Sequence, residues 1–241
     1  MLTIPKSDQV AAAAASAIHS GEVERLVEML KRYPDLARTR IVDERGVART
    51  LLHVAADWPG HFPNGARTVA ALIAAGVDVN AGVTGPNLKH AETALHGAAS
   101  SNDVAAIDAL LDGGADIEAP GAIFTGGPAM SDAVVFAQWD AAHRLLERGA
   151  RTTFWQASGL GLLDRVKELY AEPPTLSGDQ ITSAFWHACH GGQQQTAEYL
   201  LELGADLNWI GYDKKTPLMV ARESGNQELI AWLRSQGAIA A

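Results

Sequence analysis

One cysteine in 241 residues, Cys189, leaves this chain without an intramolecular disulfide, so its fold must hold without covalent staples, as suits a reducing compartment. Positive charge is scarce as well: 19 Lys and Arg face 28 Asp and Glu, a formal net charge of −9. That balance excludes general attraction to nucleic-acid phosphate. No apolar run approaches bilayer length. The longest alanine-rich stretch, Val10 to Ile18, falls well short of the roughly 20 residues a spanning helix requires. With Lys6 ahead of it and His19-Ser20-Gly21 behind, it reads as the first helix of a cap rather than a signal peptide. A Gly-x-x-x-x-Gly-Lys-Ser/Thr loop and a strand-anchored dinucleotide fingerprint are missing too, which sets nucleotide chemistry aside. The expectation from these absences is a cytoplasmic protein with no nucleic-acid or membrane partner.

What the chain does contain is repetition. Thr93-Ala94-Leu95-His96-Gly97-Ala98-Ala99 leads on to Gly114-Ala115-Asp116-Ile117, and Thr216-Pro217-Leu218-Met219-Val220-Ala221 leads on to Gly237-Ala238. This pattern resembles the ankyrin repeat, with its Thr-Pro-Leu-His-x-Ala opening and a period near 33 residues. The resemblance implies an all-α solenoid of about seven helix–loop–helix repeats with short hairpin tips. It spans residues 1–241 as one domain: 1–49 an N-terminal capping repeat, 50–215 central repeats with insertions, 216–241 a C-terminal capping repeat.

The register follows from the helix endings Gly76-Val77, Gly114-Ala115, Gly149-Ala150, Gly204-Ala205 and Gly237-Ala238, since a glycine there stops a helix in the left-handed conformation. Counting back places the openings near Ala12, Thr50, Thr93, Pro128, Thr152, Ser183 and Thr216. Thr or Ser caps each first helix, and proline in its first turn gives up no needed amide. In the family the motif histidine is structural, which the resemblance extends to His53 and His96; Trp155 and Trp186 stand in that slot later in the chain. Asp-x-Asn after the glycine, as in Asp78-Val79-Asn80, favours a turn. Departures include Pro59-Gly60-His61-Phe62-Pro63, inserted between the helices of the second copy, a long Thr84–His90 hairpin and a glycine-rich Gly121–Gly127 connection.

The resemblance further implies a concave face built from the first helices. Its rows run Val54, Gly97, Asp132, Gln156, His187, Val220; then Asp57, Ser100, Val135, Gly159, His190, Glu223; then Trp58, Ser101, Phe136, Leu160, Gly191, Ser224. Small residues in the middle repeats, flanked by Asp57 and Trp58 and by His187 and His190, suggest a hollow at the centre of the groove; close packing of a curved stack accounts for them equally. His61 and Phe62 in the inserted loop and Tyr212 in the last hairpin are further contact candidates. Arg45, Arg49 and Lys214 at hairpin tips are secondary ones.

His187-Ala188-Cys189-His190 offers too few ligands for a structural zinc site, and its cysteine falls in the buried Ala-Ala slot. No metal and no cofactor is expected. An acid–base dyad of Asp57 with His187 is ruled out because repeats about 10 Å apart separate them by roughly 40 Å. Closer pairings are Asp57 with His61, His90 and Glu92 beside Asp103, and Asp132 with Gln156. The leading expectation is a protein–protein interaction module that takes a protein or peptide in its concave groove, using Asp57, Trp58, His61, Phe62, His90, Ser100, Ser101, Asp132, Phe136, Gln156, His187, His190 and Tyr212. The alternative is a small-molecule-binding or acid–base enzyme (hydrolase, isomerase or lyase type) in the same groove, with Asp57, His61, His90, Asp132, His187 and His190 as its candidate groups.

Overall fold

The computed structural model describes residues 2–240. The chain divides into two compact units, residues 1–150 and 151–241. In the first, a short strand β1 (Thr3–Pro5) precedes helices α1 (Gln9–Ser20) and α2 (Val23–Arg32). Strands β2 (Arg40–Val42) and β3 (Ala48–Arg49) follow, then α3 (Leu51–Ala56), α4 (Gly65–Ala74), α5 (Ala94–Ser100), α6 (Val104–Asp112), α7 (Ala129–Val135) and α8 (Trp139–Glu147). The second holds α9 (Phe154–Gly159), α10 (Leu163–Ala171), α11 (Gly178–His190), α12 (Gln194–Glu202), α13 (Pro217–Ser224) and α14 (Gln227–Ser235). Among the described residues this makes seven helix–loop–helix pairs, the expected repeat architecture.

Within the first unit, first helices stack on first helices (α1 on α3, α3 on α5, α5 on α7) and second helices on second (α2 on α4, α4 on α6, α6 on α8). The sequence explains this ordering. Ala55, Ala56, Ala98, Ala99 and Ala133 are buried between neighbouring first helices, where a methyl group is the largest side chain that close backbone approach tolerates. Leu72, Ile107, Leu110 and Leu145 are wholly buried at helical spacing along the second helices, each contributing roughly 1.5–3 kcal/mol of burial. In the second unit α11 packs on both α9 and α13, around a core that includes Phe185, Trp186, Leu200 and Leu233.

The motif residues act as their chemistry requires. Thr50 and His53 close a capping box on α3, as do Thr93 and His96 on α5. In each, the imidazole Nδ1 accepts the threonine N–H at 3.2 Å. The opposite nitrogen, Nε2–H, donates to a carbonyl of the next hairpin, Glu92 O at 3.0 Å from His53 and Gly127 O at 3.2 Å from His96. Both rings are therefore fixed, neutral, structural pins between repeats. Burial pushes the His53 pKa down to about 4 and lowers that of His96. The Asp-x-Asn turns form as well: Asp78 Oδ1 accepts Asn80 N–H at 3.0 Å, and Asn80 Oδ1 takes Asp116 N–H at 2.7 Å from the following repeat.

Several expected openings move. The first helix starts at Gln9 behind an Asp8 cap rather than near Ala12, since Asp8 Oδ1 accepts both Val10 and Ala11 N–H. Helix α9 starts one residue late, capped by Thr153 instead of Thr152. Helix α11 starts at Gly178, behind a Ser177–Gln180 capping box, so Ser183 lies inside the helix instead of opening it. Extra helical turns there replace the hairpin, which is why no Gly-Ala landmark survives after Ala171-Glu172-Pro173-Pro174. A further addition is the pairing of β1, parallel, with β2, which in turn pairs antiparallel with β3.

Candidate partner-binding face

In the first unit the candidate residues rise from three successive first helices and the loops that follow them. Residues 57–64, the connection between α3 and α4, contain the expected insertion. It is a clasp rather than a free loop. His61 N–H donates to Asp103 Oδ2 at 2.8 Å, and its Nε2–H to Ser101 O at 2.9 Å. Phe62 stacks on His19 with ring centroids 4.4 Å apart, and Asn64 Nδ2 donates to Gly21 O at 3.0 Å. One loop thus ties the second repeat to the first and the third. Held at its start is Trp58, 80% exposed, beside Asp57, whose Oδ1 accepts the Trp58 N–H at 2.9 Å.

The hollow is not where the row of small residues suggested. A Cβ on Gly97 would stand 3.1 Å from Ala56 O and 3.2 Å from Asp57 Cα, so its missing side chain is what lets α5 lie against α3. Ser101 is buried beneath Gly60, where an added Cβ would meet Ser101 Cβ at 2.8 Å. Ser100, half-buried, turns its hydroxyl back to Gly97 O at 3.0 Å. In the second unit a Cβ on Gly191 would overlap Gly159 O. Small residues here serve close packing. The cavity lies one repeat earlier, about 490 Å³ between α1, the first hairpin and the clasp, lined by Ala12, Ala15, Ile41, Val54, Trp58 and Phe62 among others, with Lys6, Asp43, Arg49 and Asp57 also on its wall. The α1 side of this cavity was not expected from the sequence, although Ala12, Ala15 and His19 recur at helical spacing.

Beyond Asp57 the face continues to Glu92 and Asp132. Asp132 is buried; its Oδ1 accepts Ile123 N–H at 3.2 Å, while Oδ2 has no hydrogen-bond partner. Burial first, and then the Glu92 carboxylate, push its pKa up to about 7. Burial and then Asp57 raise that of Glu92, against the opposing effect of Arg49. Arg49 itself pairs with Asp43 at 3.2 Å and approaches Asp57 at 3.6 Å. His90 is half-buried, its ring held beneath Gly126, where an added Cβ would come within 2.7 Å of it. The Gly121–Gly127 connection, tied to Asp132 through Ile123, presents Phe124 (69% exposed) against Phe136 (40% exposed), ring centroids 5.8 Å apart. Phe136 was expected; Ile123 and Phe124 were not, though aromatic and branched residues amid glycines were a legible signal.

In the second unit the candidates form a ring cluster. Gln156, expected in the groove, is instead buried, its Oε1 accepting Thr153 N–H at 2.8 Å in a capping box. The late start of α9 also takes Trp155 out of the histidine slot, to lie 4.6 Å from the His187 ring. Trp186 does fill that slot: its Nε1–H donates to Lys215 O at 2.9 Å, just before Thr216, as the histidines do to their own next hairpins. His187 is buried rather than offered to a partner, its Nδ1–H donating to Ser183 O at 2.8 Å and its pKa pushed down to about 4, chiefly by burial. His190, half-buried, stacks on Trp186 at 5.1 Å. Tyr212 is 52% exposed, its ring 5.4 Å from His187. Cys189 is fully buried and its thiol pushed upward, so it stays protonated.

His61 and Asp103 are engaged with the backbone. His61 spends its Nε2–H on a backbone carbonyl away from Asp57, and Asp103 caps α6 by accepting Ala106 N–H at 3.0 Å as well as His61 N–H. Among the described residues no helix is long and apolar enough to cross a membrane, and no group of three or more His, Cys, Asp or Glu is placed to hold a metal ion.

Stacked helix pairs with pinned hairpins and an open inner face define a repeat protein of the interaction type. A family model for the ankyrin repeat matches residues 91–122, and one for ankyrin repeats in three copies matches residues 154–240. Among solved structures, the ankyrin repeat domain of human ASB11 is similar at 19% identity and a TM-score of 0.51, covering 91% of this chain and 96% of that one. Over those two stretches the chain carries ankyrin repeats.

Proposed function

We propose that this chain is a protein-interaction module that takes a peptide segment of its partner on the inner-helix face of its first unit. The observation that carries this reading is the cavity beside Trp58. It joins an apolar floor to an indole that is 80% exposed yet held by a loop tied to both neighbouring repeats. A large, pre-positioned aromatic at the edge of a cavity is how interfaces concentrate binding energy, because little entropy is lost when it is covered. The exposed Phe124–Phe136 pair supplies a second apolar anchor on the same unit.

The test is a selection of phage-displayed random peptides on the wild-type protein, with winners measured against Trp58→Ala and Phe124→Ser. Loss of a buried aromatic anchor weakens affinity by about tenfold or more. Winners that bind both variants as tightly as wild type would place the partner elsewhere and end this reading.

A further inference from the structure

Carboxylates recur along the inner side of the first unit. Three successive repeats contribute Asp57, Glu92 and Asp132, and the cation that reaches this row, Arg49, is already engaged by Asp43 and Asp57. Glu92 and Asp132 repel one another and Asp57 repels Glu92. Asp132 adds a fully buried carboxyl oxygen with no partner. Between Asp57 and Glu92 lies a shallow crevice of about 30 Å³, with Arg49 and Gly97 also on its wall. Apolar sites bracket this strip: the 490 Å³ cavity on one side and the exposed Phe124–Phe136 pair on the other.

Geometry turns this into a spacing rule. First helices of adjacent repeats lie about 10 Å apart, and an extended chain advances about 3.3 Å per residue, so one repeat corresponds to about three residues of a bound strand. We propose that this face binds an extended cationic segment of the form apolar-x-x-Arg/Lys-x-x-apolar. The first apolar side chain enters the cavity over Ala12, Ala15 and Val54. The cation sits at the mouth of the crevice, between the Asp57 and Glu92 carboxylates, and the second apolar side chain covers Phe124 and Phe136. The proposal rests on the reading of this face as the partner site, and adds its charge and its period. A cation there relieves the repulsion along the row and makes charge-assisted hydrogen bonds in a partly desolvated setting.

The experiment uses acetyl-Leu-Ser-Ser-Arg-Ser-Ser-Leu-amide, its citrulline and Glu analogues, and a shortened Leu-Ser-Arg-Ser-Leu form, titrated against the full chain by NMR up to about 1 mM. Citrulline keeps the shape of arginine and removes its charge. The arginine heptapeptide is expected to bind about tenfold more tightly than the citrulline one, with the Glu and shortened peptides weaker still. Glu92→Gln, and independently Asp57→Asn, should shrink the arginine-to-citrulline ratio to about threefold or less, as should high salt. An unchanged ratio in both folded variants, equal binding of the arginine and citrulline peptides, or no binding of any peptide overturns the proposal. Trp58→Ala separates the two claims: if it weakens arginine and citrulline peptides alike while they bind equally well, the groove stands and its cation preference falls. If every peptide ignores Trp58→Ala, the groove itself falls.

Discussion

The two units solve the same problem, pinning one repeat to the next hairpin, with different side chains. In the first, His53 and His96 each cap a helix with one ring nitrogen and reach forward with the other. In the second, Trp186 reaches forward but has no acceptor for the cap, and Gln156, standing after Thr153 as His53 stands after Thr50, caps its helix through its amide oxygen. An imidazole does both jobs because it carries a donor and an acceptor on opposite edges; an indole carries a donor alone. The inner faces diverge correspondingly. The first unit shows carboxylates between apolar anchors, whereas the second fills its face with the rings of Trp155, Trp186, His187 and Tyr212 packed on each other. The histidine pin leaves its neighbouring face clear, while the bulkier pin fills part of its own.

The contrast breaks most directly at the pins. His96→Ala removes a buried cap and a buried bridge together, leaving the Thr93 N–H unpaired while the Gly127 carbonyl keeps the Gly121 and Ala122 N–H, and should cost about 3 kcal/mol. Trp186→Phe loses a single hydrogen bond with most of the packing retained, and should cost about 1–2 kcal/mol. Hydrogen exchange of the α5 and α11 amides reads each loss locally; equal costs would dissolve the distinction.

A smaller effect sharpens the electrostatic half of the comparison. Burial, and then the Glu92 carboxylate, raise the folded pKa of Asp132 from its ordinary 3.8 to about 7. Its contribution to stability is therefore whole below the unfolded value and is lost as pH rises through about 7. Asp132→Asn mimics the protonated form and keeps an oxygen for Ile123 N–H. Between pH 5 and 6.5 the wild type should lose about 2 kcal/mol that the variant retains, at about 1.4 kcal/mol per pH unit. Parallel urea midpoints across that range would refute the assignment. Least of all, Trp58→Ala should move stability by under about 0.5 kcal/mol, because so exposed an indole packs on little; a large loss of melting temperature would recast Trp58 as structural.

The fold was legible because each motif residue has one task the backbone imposes: glycine after a second helix, threonine before a first, alanine between first helices. Even the substitution of Trp186 for histidine could be read from its place between Ser183 and Ala188. Legibility ended where the chain changed length. Helix α9 opens one residue later than the count, which carries Gln156 from the face into a cap, and an extended α11 erases the hairpin on which the count relied. The cavity was displaced for a similar reason. Gly97 and Ser101 signal room in a sequence, but neighbouring backbone had already claimed it. Asp57 and Trp58 were legible from their place after the motif histidine and alanines; Ile123 and Phe124 sit on a connection with no period to count.

One modest element reaches further than its size. Strand β1 has three residues, yet Leu2 and Lys6 at its two ends border different cavities, Lys6 the one beside Trp58 and Leu2 a second that is lined in part by Arg38, Arg40 and Asp78. Sliding β1 by a single residue along β2 would turn its side chains to the opposite face and withdraw both borders in the same movement. The opening residues of this chain therefore act as a shared doorpost, and any change that reseats them remodels two entrances at once.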